Sequence, residues 1–507
     1  MLAQIRSASI QGIDAFPVEV EVDSGPGPQQ IVLVGLPDAA VRESRDRVGT
    51  AIIHSGFRFP PGRTTINLAP ADIRKEGPSF DLPIAVGILA ASRQLIPRDL
   101  TAFAMVGELA LTGAVRPVKG ALALALRARA EGCRGLLLPA ENAPEAGVVD
   151  GLEVIPVRSL HEAAQFLAGE ASIKPLRVDT SALFAADDSD AMDMSEVGGQ
   201  ESVKRALEVA AAGSHNVLLI GPPGTGKSML ARRLATILPP LTLAEALEAT
   251  QIHSVVGQLA PGQALVTRRP FRSPHHTTSD AGLLGGNTHP TPGEISLAHH
   301  GVLFLDELPE FKRTVLETLR QPLEEGRVTI SRAAGTVTFP SQFMLVAAMN
   351  PTPDGKMPAD SQSSPREIRS YLGRVSGPLL DRIDLHVEVP AVRFTDLERA
   401  RPGESSRRIR ERVEQARALQ RRRLEGKTIS SNARLGPREI QQFVRLDTET
   451  QRLLKHALSE LNLSARAYHR VLKVARTLAD LAGSENVALE HVSEAIRYRS
   501  LDRQIWG

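Results

Sequence analysis

The sequence predicts an α/β chain in three parts: a mixed α/β N-terminal domain, an α/β nucleotide-binding core and a helical C-terminal region. Three observations predict it. Residues 1 to about 170 alternate short β-like runs (IVLVG, TTINLAP, GLLLP) with helix-like runs (DAAVRESRDRVGTAIIHSG, LPIAVGILAASRQL). At 216–230, NVLLIGPPGTGKSML reads as an apolar strand, a glycine-rich loop and a helix start. From about residue 391 the chain is Arg-rich and reads as helical.

A chain of 507 residues accommodates about three domains. Its hydrophobic share of 42% supports packed cores, and its aromatic share of 4% makes them aliphatic. Lys and Arg number 60 against 58 Asp and Glu, so basic surface for a nucleic acid has to be local. The single cysteine, Cys133, excludes an intrachain disulfide and a cysteine-cluster metal site. It reads as a packing residue at a helix end. The N-terminus lacks the apolar core of a signal peptide, and no stretch approaches 18 uninterrupted apolar residues. A cytoplasmic protein without a membrane partner is expected. Composition sets the boundaries at 1–170, an acidic linker at 171–194 without clear period, a core at 195–390 and a helical region at 391–507.

The strongest motif is the G-x-x-x-x-G-K-S loop in its strand–loop–helix setting. Gly221, Pro222, Pro223, Gly224, Thr225, Gly226, Lys227, Ser228 and Met229 form the expected phosphate cradle. The glycines let backbone N–H groups wrap an anion at the helix N-terminus. Lys227 reaches toward the β- and γ-phosphates of ATP, and Ser228 offers its hydroxyl to Mg²⁺. A second strand, GVLFLDELPEF at 301–311, ends in Asp306 and Glu307, where ligands gather in open α/β sheets. Asp306 is expected to hold Mg²⁺ and Glu307 to polarise the attacking water. A third strand, QFMLVAAMNP, ends in Asn350, an amide able to orient that water or simply to start a turn.

The order P-loop, Asp-Glu, strand-end Asn resembles the AAA+ ATPases. That resemblance implies two further residues. Arg382, in GPLLDRIDLHVEVP, is placed like the arginine finger that enters a neighbouring subunit's site in the chelatase and MCM-like branch. Arg466, in LSARAYHRVLKVARTLAD, is placed like the sensor-2 arginine of the helical lid. A finger supplied in trans is worth on the order of 10³ to 10⁵ in rate, so the resemblance implies a homo-oligomeric ring, a hexamer by family analogy. Local readings stay open for both: an Asp381–Arg382–Asp384 cluster, and a solvated helix face shared by Arg466 and Arg470.

The segment PFRSPHHTTSDAGLLGGNTHPTPGEISLAHHG, 270–301, resembles the insert near the pore of magnesium-chelatase-like proteins. Its histidine pairs, 275–276 and 299–300, suggest a metal. Adjacent residues on a strand face opposite ways, so no zinc is expected. RVTISRAAGTVTFP reads as a β-hairpin around Ala333-Ala334-Gly335 with Arg332 at its tip. In the family this hairpin projects into the pore, which makes Arg332 a candidate DNA contact; an ordinary edge hairpin is the alternative. Residues 401–427 carry ten Lys/Arg against four Asp/Glu, either a solvated helix face or a phosphate-neutralising surface. In one respect the chain departs from the family: the loop NPTPDGKMPADSQSSPREI has Thr352 and Asp354 where the family carries zinc-binding cysteines, so soft-metal ligation is absent there.

GPSFDLPIAVGILAAS and VGELALTGAVRPVKGALALALRARAEGCRGLLLP resemble the two active-site segments of the Lon protease domain. Ser79 occupies the nucleophile's place, but Leu122 stands where the catalytic lysine belongs and Lys119 comes three residues early. Ser79 is therefore read as a helix-starting cap in a domain without peptidase chemistry. The whole chain resembles the type of magnesium-chelatase-like protein linked to natural transformation. That implies an ATP-driven DNA motor acting on single-stranded or branched DNA, extending heteroduplex by branch migration, with recombination proteins as further partners. The alternatives are a chelatase-type motor that remodels a metallation partner and an ATP-dependent Lon-like protease.

Overall fold

The computed structural model describes residues 2–186, 192–286, 290–332, 335–358, 360–391, 403–460 and 464–506. The hairpin turn at 333–334, insert residues 287–289 and the first two residues of the basic segment 401–427 lie outside these. The chain forms two compact units: Met1–Ala186 with Thr242–Thr267, and Asp187–Leu241 with Arg268–Gly507.

The first unit is built on a seven-stranded mixed sheet. Its strands are β1 (Leu2–Gln11), β2 (Asp14–Gly25), β3 (Gln30–Val34), β4 (Arg63–Ala69), β5 (Phe103–Met105), β8 (Gly135–Pro139) and β9 (Glu153–Val157), in the order β3-β4-β2-β1-β5-β8-β9. A separate two-residue pair joins β6 (Glu108–Leu109) to β7 (Val115–Arg116). Strands β1 and β2 pair antiparallel, and alternation sends Val18, Val20 and Val22 inward while Glu19 is exposed and Glu21 half-buried on the other face. Strand β8 pairs parallel with β5 and β9, and all five of its residues, GLLLP, are buried.

The helix Asp81–Ala91 is buried at every position, which explains its lack of a polar stripe. Its start corrects the reading of Ser79. Ser79 lies inside the 3₁₀ turn Pro78–Phe80, and no side chain caps the helix. The chain enters through that turn, the Leu82 N–H donates to the Gly107 carbonyl, and buried Asp81 anchors the first turn. The Asp81 carboxylate accepts from Ser44, from Arg47 at 2.9 Å and from the Leu109 N–H at 3.1 Å. Leu122 is fully buried in the helix Ala121–Ala130, whereas Lys119 is exposed with its stem along Gly257.

The expected linker is partly ordered. Leu176 and Val178 donate backbone hydrogen bonds to Val154 and Gly147, and Thr180–Ala186 is helical. The helix Leu243–Val255 clusters with this first unit although the sequence assigns it to the core. Buried Glu145 accepts from Ser254 of that helix and from the Leu122 N–H at 2.8 Å.

The second unit holds a five-stranded parallel sheet: β10 (Val217–Ile220), β11 (Phe271–Arg272), β14 (Val302–Leu305), β17 (Met344–Met349) and β18 (Leu385–Glu388), ordered β11-β14-β17-β10-β18. Strands β10, β14 and β17 are buried throughout, as parallel strands covered on both faces must be. Two antiparallel pairs stand apart from it, β12 (Gly285–Gly286) with β13 (Thr291–Pro292) and β15 (Arg327–Arg332) with β16 (Gly335–Pro340). Helices Ser406–Arg423, Pro437–Phe443, Thr448–Glu460, Ala465–Leu481 and Leu489–Arg497 complete the unit. Val413 and Ala416 of the first, and Val471, Val474 and Ala475 of the fourth, share one apolar core with Val217 and Leu219 of β10. No helix among the described residues is long and apolar enough to cross a membrane.

Candidate active site

The site begins where β10 ends. Gly221 donates its N–H to the Met349 carbonyl and lies so close to β18 that a Cβ would sit 2.2 Å from the Val389 oxygen, so only glycine fits. Gly224 and Gly226 have φ of 78° and 85°, the left-handed conformation that turns successive N–H groups into a concave cradle. Thr225 Oγ1 donates to the Pro222 carbonyl at 2.9 Å, and Gln200 Nε2 braces the loop from outside by donating to the Thr225 carbonyl at 2.9 Å. Lys227 and Ser228 then open the helix Lys227–Ile237, with Met229 in its first turn.

The Lys227 ammonium donates to the carbonyls of Gly221 at 2.7 Å and Pro222 at 2.8 Å, and to Asn350 Oδ1 at 3.1 Å. Burial pushes Lys227 below the ordinary lysine value, while the Asp306 and Glu307 carboxylates pull it back up. Ser228 Oγ donates to Asp306 Oδ2 at 2.5 Å. Asp306, Glu307 and Asn350 leave the C-terminal ends of neighbouring strands β14 and β17, so one edge of the sheet gathers every group expected around the phosphates. Glu307 adopts φ 53°, and its side chain is 61% exposed.

Sequence reasoning missed Tyr371 here. Its hydroxyl donates to the Asn350 carbonyl at 3.3 Å, and burial pushes its pKa up to about 12, keeping it a donor. With Glu307, Glu310, Asn350 and Arg374 it lines a cavity of about 510 Å³. No motif marks a lone tyrosine in the helix Pro365–Leu372. The loop leading to that helix is organised by Asp354, which accepts from Thr352 Oγ1 at 2.6 Å, Ser361 Oγ at 2.8 Å and the Gln362 N–H at 2.9 Å. These bonds hold the Asp354 carboxyl far below the usual carboxylate range. One carboxylate thus cross-links the loop.

Arg382 and Arg466 are not at this edge. Arg382 precedes β18, and β18 runs parallel to β10 with Leu385 beside Val217. Arg382 therefore stands at the sheet's N-terminal edge, a four-residue strand or about 13 Å from the P-loop edge. It is 5% exposed, donates to the Pro378 carbonyl at 2.5 Å and pairs with Glu324. The alternative reading, a local Asp381–Arg382–Asp384 cluster, is not what forms, because Asp384 is taken by Arg470 and His215. Arg382, Arg434, Arg466, Arg470 and Lys473 line one pocket of about 280 Å³. Arg466 is exposed in the first turn of the helix Ala465–Leu481, which Ser464 caps.

Both histidine pairs lie in turns rather than on strands, so the alternation argument does not apply to them. The ring centroids lie 4.1 Å apart for His275–His276 and 3.8 Å apart for His299–His300, with the ring planes tilted by 34° and 45°. Arg332 is exposed at the end of β15 on the face of Ile330, and Thr329, Ser331, Thr336 and Thr338 form a hydroxyl ladder on the opposite face of the hairpin. The basic helix Ser406–Arg423 spends much of its charge internally. Arg412 pairs with Glu208 and Glu404, Arg423 pairs with Asp480, and Arg410 and Arg417 bond to Thr236 and Ser214.

Three family models match the chain: magnesium chelatase, subunit ChlI, over residues 193–397; subunit ChlI of Mg-chelatase over 18–142; and the ChlI C-terminal domain over 403–499. The chain belongs to the magnesium-chelatase-like AAA+ family. It is 46% identical over 505 residues to YifB of Salmonella typhimurium, covering 99% of this chain and 98% of that protein. It is equally 46% identical over 506 residues to the competence protein ComM of Haemophilus influenzae, with the same coverage. The 38 kDa magnesium-chelatase subunit of Cereibacter sphaeroides is 28% identical over 218 residues, 39% of this chain and 59% of that protein.

Proposed function

We propose that the chain is an ATP-hydrolysing motor that works as a closed homo-oligomeric ring, a hexamer by family analogy. Its track is single-stranded or branched DNA, along which it extends heteroduplex by branch migration during natural transformation and homologous recombination. The observation that carries the ring is the separation of Arg382 from Lys227 by the length of the parallel sheet. A guanidinium at the N-terminal edge cannot reach a phosphate at the C-terminal edge of its own sheet, so Arg382 serves a neighbour's site. Arg466 lines the same pocket and faces the same neighbour.

Within each site the residues divide the work. Lys227 exchanges two loop carbonyls for phosphate oxygens, and the loop from Gly221 to Met229 supplies N–H donors. Ser228 and Asp306 offer adjoining hard oxygens, a set that fits Mg²⁺, which supplies charge neutralisation when bound. Asn350 orients a water and Glu307 takes its proton as the oxygen attacks the γ-phosphorus, releasing ADP and phosphate. The name of ComM supports the link to DNA uptake, and the exposed Arg332 at the end of β15 is the contact we assign to the DNA backbone. We place the protein in the cytoplasm and read its first unit as a Lon-like domain without peptidase activity, buried Leu122 replacing the lysine. A chelatase-type motor is the second reading; the 46% identity to ComM over 506 residues, against 28% over 218 residues to the chelatase subunit above, favours the first.

The test is ATP hydrolysis with and without four-way DNA at two salt concentrations. Stimulation that weakens with salt is expected, and equal rates throughout would overturn the DNA track. Lys227→Ala and Arg382→Ala are each expected to be inactive, and mixing them should restore about a quarter or less of the wild-type rate. No recovery in rings shown to contain both variants would overturn the shared site.

A further inference from the structure

Arg382 is assigned to a neighbour's site, yet its side chain is closed inside its own subunit. Only 6% of that side chain meets solvent, its Nη1 donates to the Pro378 carbonyl at 2.5 Å, and its Nη2 pairs with Glu324. Its Nε is buried without a hydrogen-bond partner among the described residues. Arg320, Arg466 and Arg470 repel the guanidinium, and the Glu324 carboxylate opposes them. Asp384 is not available for that task, because Arg470 and His215 hold it.

Glu324 is joined to the hairpin that carries Arg332. It stands in the last turn of the helix Arg320–Glu325, and Gly326, at φ 67°, turns the chain straight into β15. The second strand comes back to the same point, where the Ser341 N–H donates to the Gly326 carbonyl at 2.8 Å. The root of the β15–β16 hairpin therefore lies two residues from the carboxylate that holds Arg382. The Glu324 side chain is itself half-exposed, so the pair opens by moving Glu324 and needs no unpacking of the core.

We propose that Glu324 is a positioning residue for Arg382: at rest it latches the guanidinium inside its own subunit, and a polymer that displaces the β15–β16 hairpin draws it away. An arginine stripped of its carboxylate among three other guanidinium groups is driven outward by their repulsion. The neighbour's γ-phosphate then replaces the carboxylate as its charged partner. The inference rests on the ATPase reading above and on the trans role of Arg382, and it adds the residue that makes hydrolysis depend on the track.

The experiment uses the full-length protein. Glu324→Gln keeps the side-chain length and an acceptor oxygen but removes the charge, and Glu324→Ala removes both. Phenylglyoxal modification without DNA, followed by peptide mass spectrometry, reads the exposure of Arg382 directly. Its rate at Arg382 is expected to rise about fivefold or more in both variants, while exposed Arg407 reacts as in wild type. Steady-state hydrolysis without DNA reads the consequence: kcat is expected to rise about threefold or more, with KM for ATP within about twofold of wild type. Stimulation by four-way DNA should shrink correspondingly. A carboxylate that only stabilised the fold would instead lower kcat with and without DNA. A rise in E324A alone assigns the hold to the acceptor oxygen and leaves the latch supported. Unchanged modification of Arg382 in both variants would overturn the proposal, and so would faster modification with a kcat equal to or below wild type. A wild-type protein without ATPase activity would instead overturn the ATPase reading, while the modification rates still decide whether Glu324 covers Arg382.

Discussion

Asn350 Oδ1 accepts from the Lys227 ammonium at 3.1 Å, joining the residue after β17 to the first residue of the P-loop helix. Tyr371 fixes the same asparagine from the other side through its main-chain oxygen. The amide is thus placed by strand, helix and tyrosine together, which is what a group that orients water requires. Replacing Asn350 by Ala keeps Lys227 anchored on two carbonyls. Steady-state kinetics should show kcat reduced about 100-fold, while a fluorescent-nucleotide titration shows affinity within about threefold of wild type.

Asp354 ties Thr352, Ser361 and Gln362 into one turn. Its carboxyl is held far below the usual range, so the tie persists above the ordinary carboxylate pKa and is lost only as pH falls through the depressed value. Asp354→Ala should release the loop, speeding limited proteolysis between residues 351 and 364 and lowering kcat through Asn350. Chelators should leave this loop's protease resistance unchanged, because the cross-link contains no metal ligand set with thiolates.

The P-loop and the Asp306–Glu307 strand end were legible because each is a local pattern: four apolar residues followed at once by the reactive group. Arg382 was legible as an arginine but its direction was not, since that depends on β18 pairing parallel to β10, a contact made 168 residues apart in sequence between Leu385 and Val217. Ser79 misled for a local reason. The sequence Gly-Pro-Ser before an apolar run suits a cap, but Pro78 sets a 3₁₀ turn first and the helix starts at Asp81. The basic run at 406–423 could not be resolved from charge alone, because the acids that neutralise it, Glu208 and Asp480, come from other helices.

Glu145 shows how the helix Leu243–Val255 is fixed. Its carboxylate is 6% exposed and accepts from the Leu122 N–H and the Ser254 hydroxyl, and burial raises its pKa. A carboxyl raised in the folded state favours folding most below its unfolded pKa, and that contribution is lost as pH rises through the folded value. Glu145→Gln keeps an acceptor and carries no charge, so it should match or exceed wild-type stability at pH 8. Glu145→Ala orphans both donors and should cost about 2–4 kcal/mol. Denaturant melts of the two variants, followed at several pH values, separate these outcomes.

Lys473 provides a test of the arginine pocket that needs no catalysis. Its ammonium donates to the Ala433 carbonyl at 2.9 Å, and burial lowers its pKa to about 8, with Arg470 and Arg434 pushing the same way and Asp384 opposing. The unfolded chain holds this proton up to the ordinary lysine value, so between about 8 and 10.5 it binds more protons than the folded chain. Stability from this group therefore rises with pH across that window, and the penalty is complete below it. Lys473→Met removes the charge and should raise Tm at pH 7, with a gain on the order of 1–2 kcal/mol after the lost hydrogen bond is subtracted. The difference from wild type should shrink as pH climbs toward 10. If the pocket receives a neighbour's phosphates, a bound polyanion restores the proton to Lys473. Wild-type protein should then take up protons on forming nucleotide-loaded rings near pH 8.5, visible as a buffer-dependent heat by calorimetry, and K473M should not.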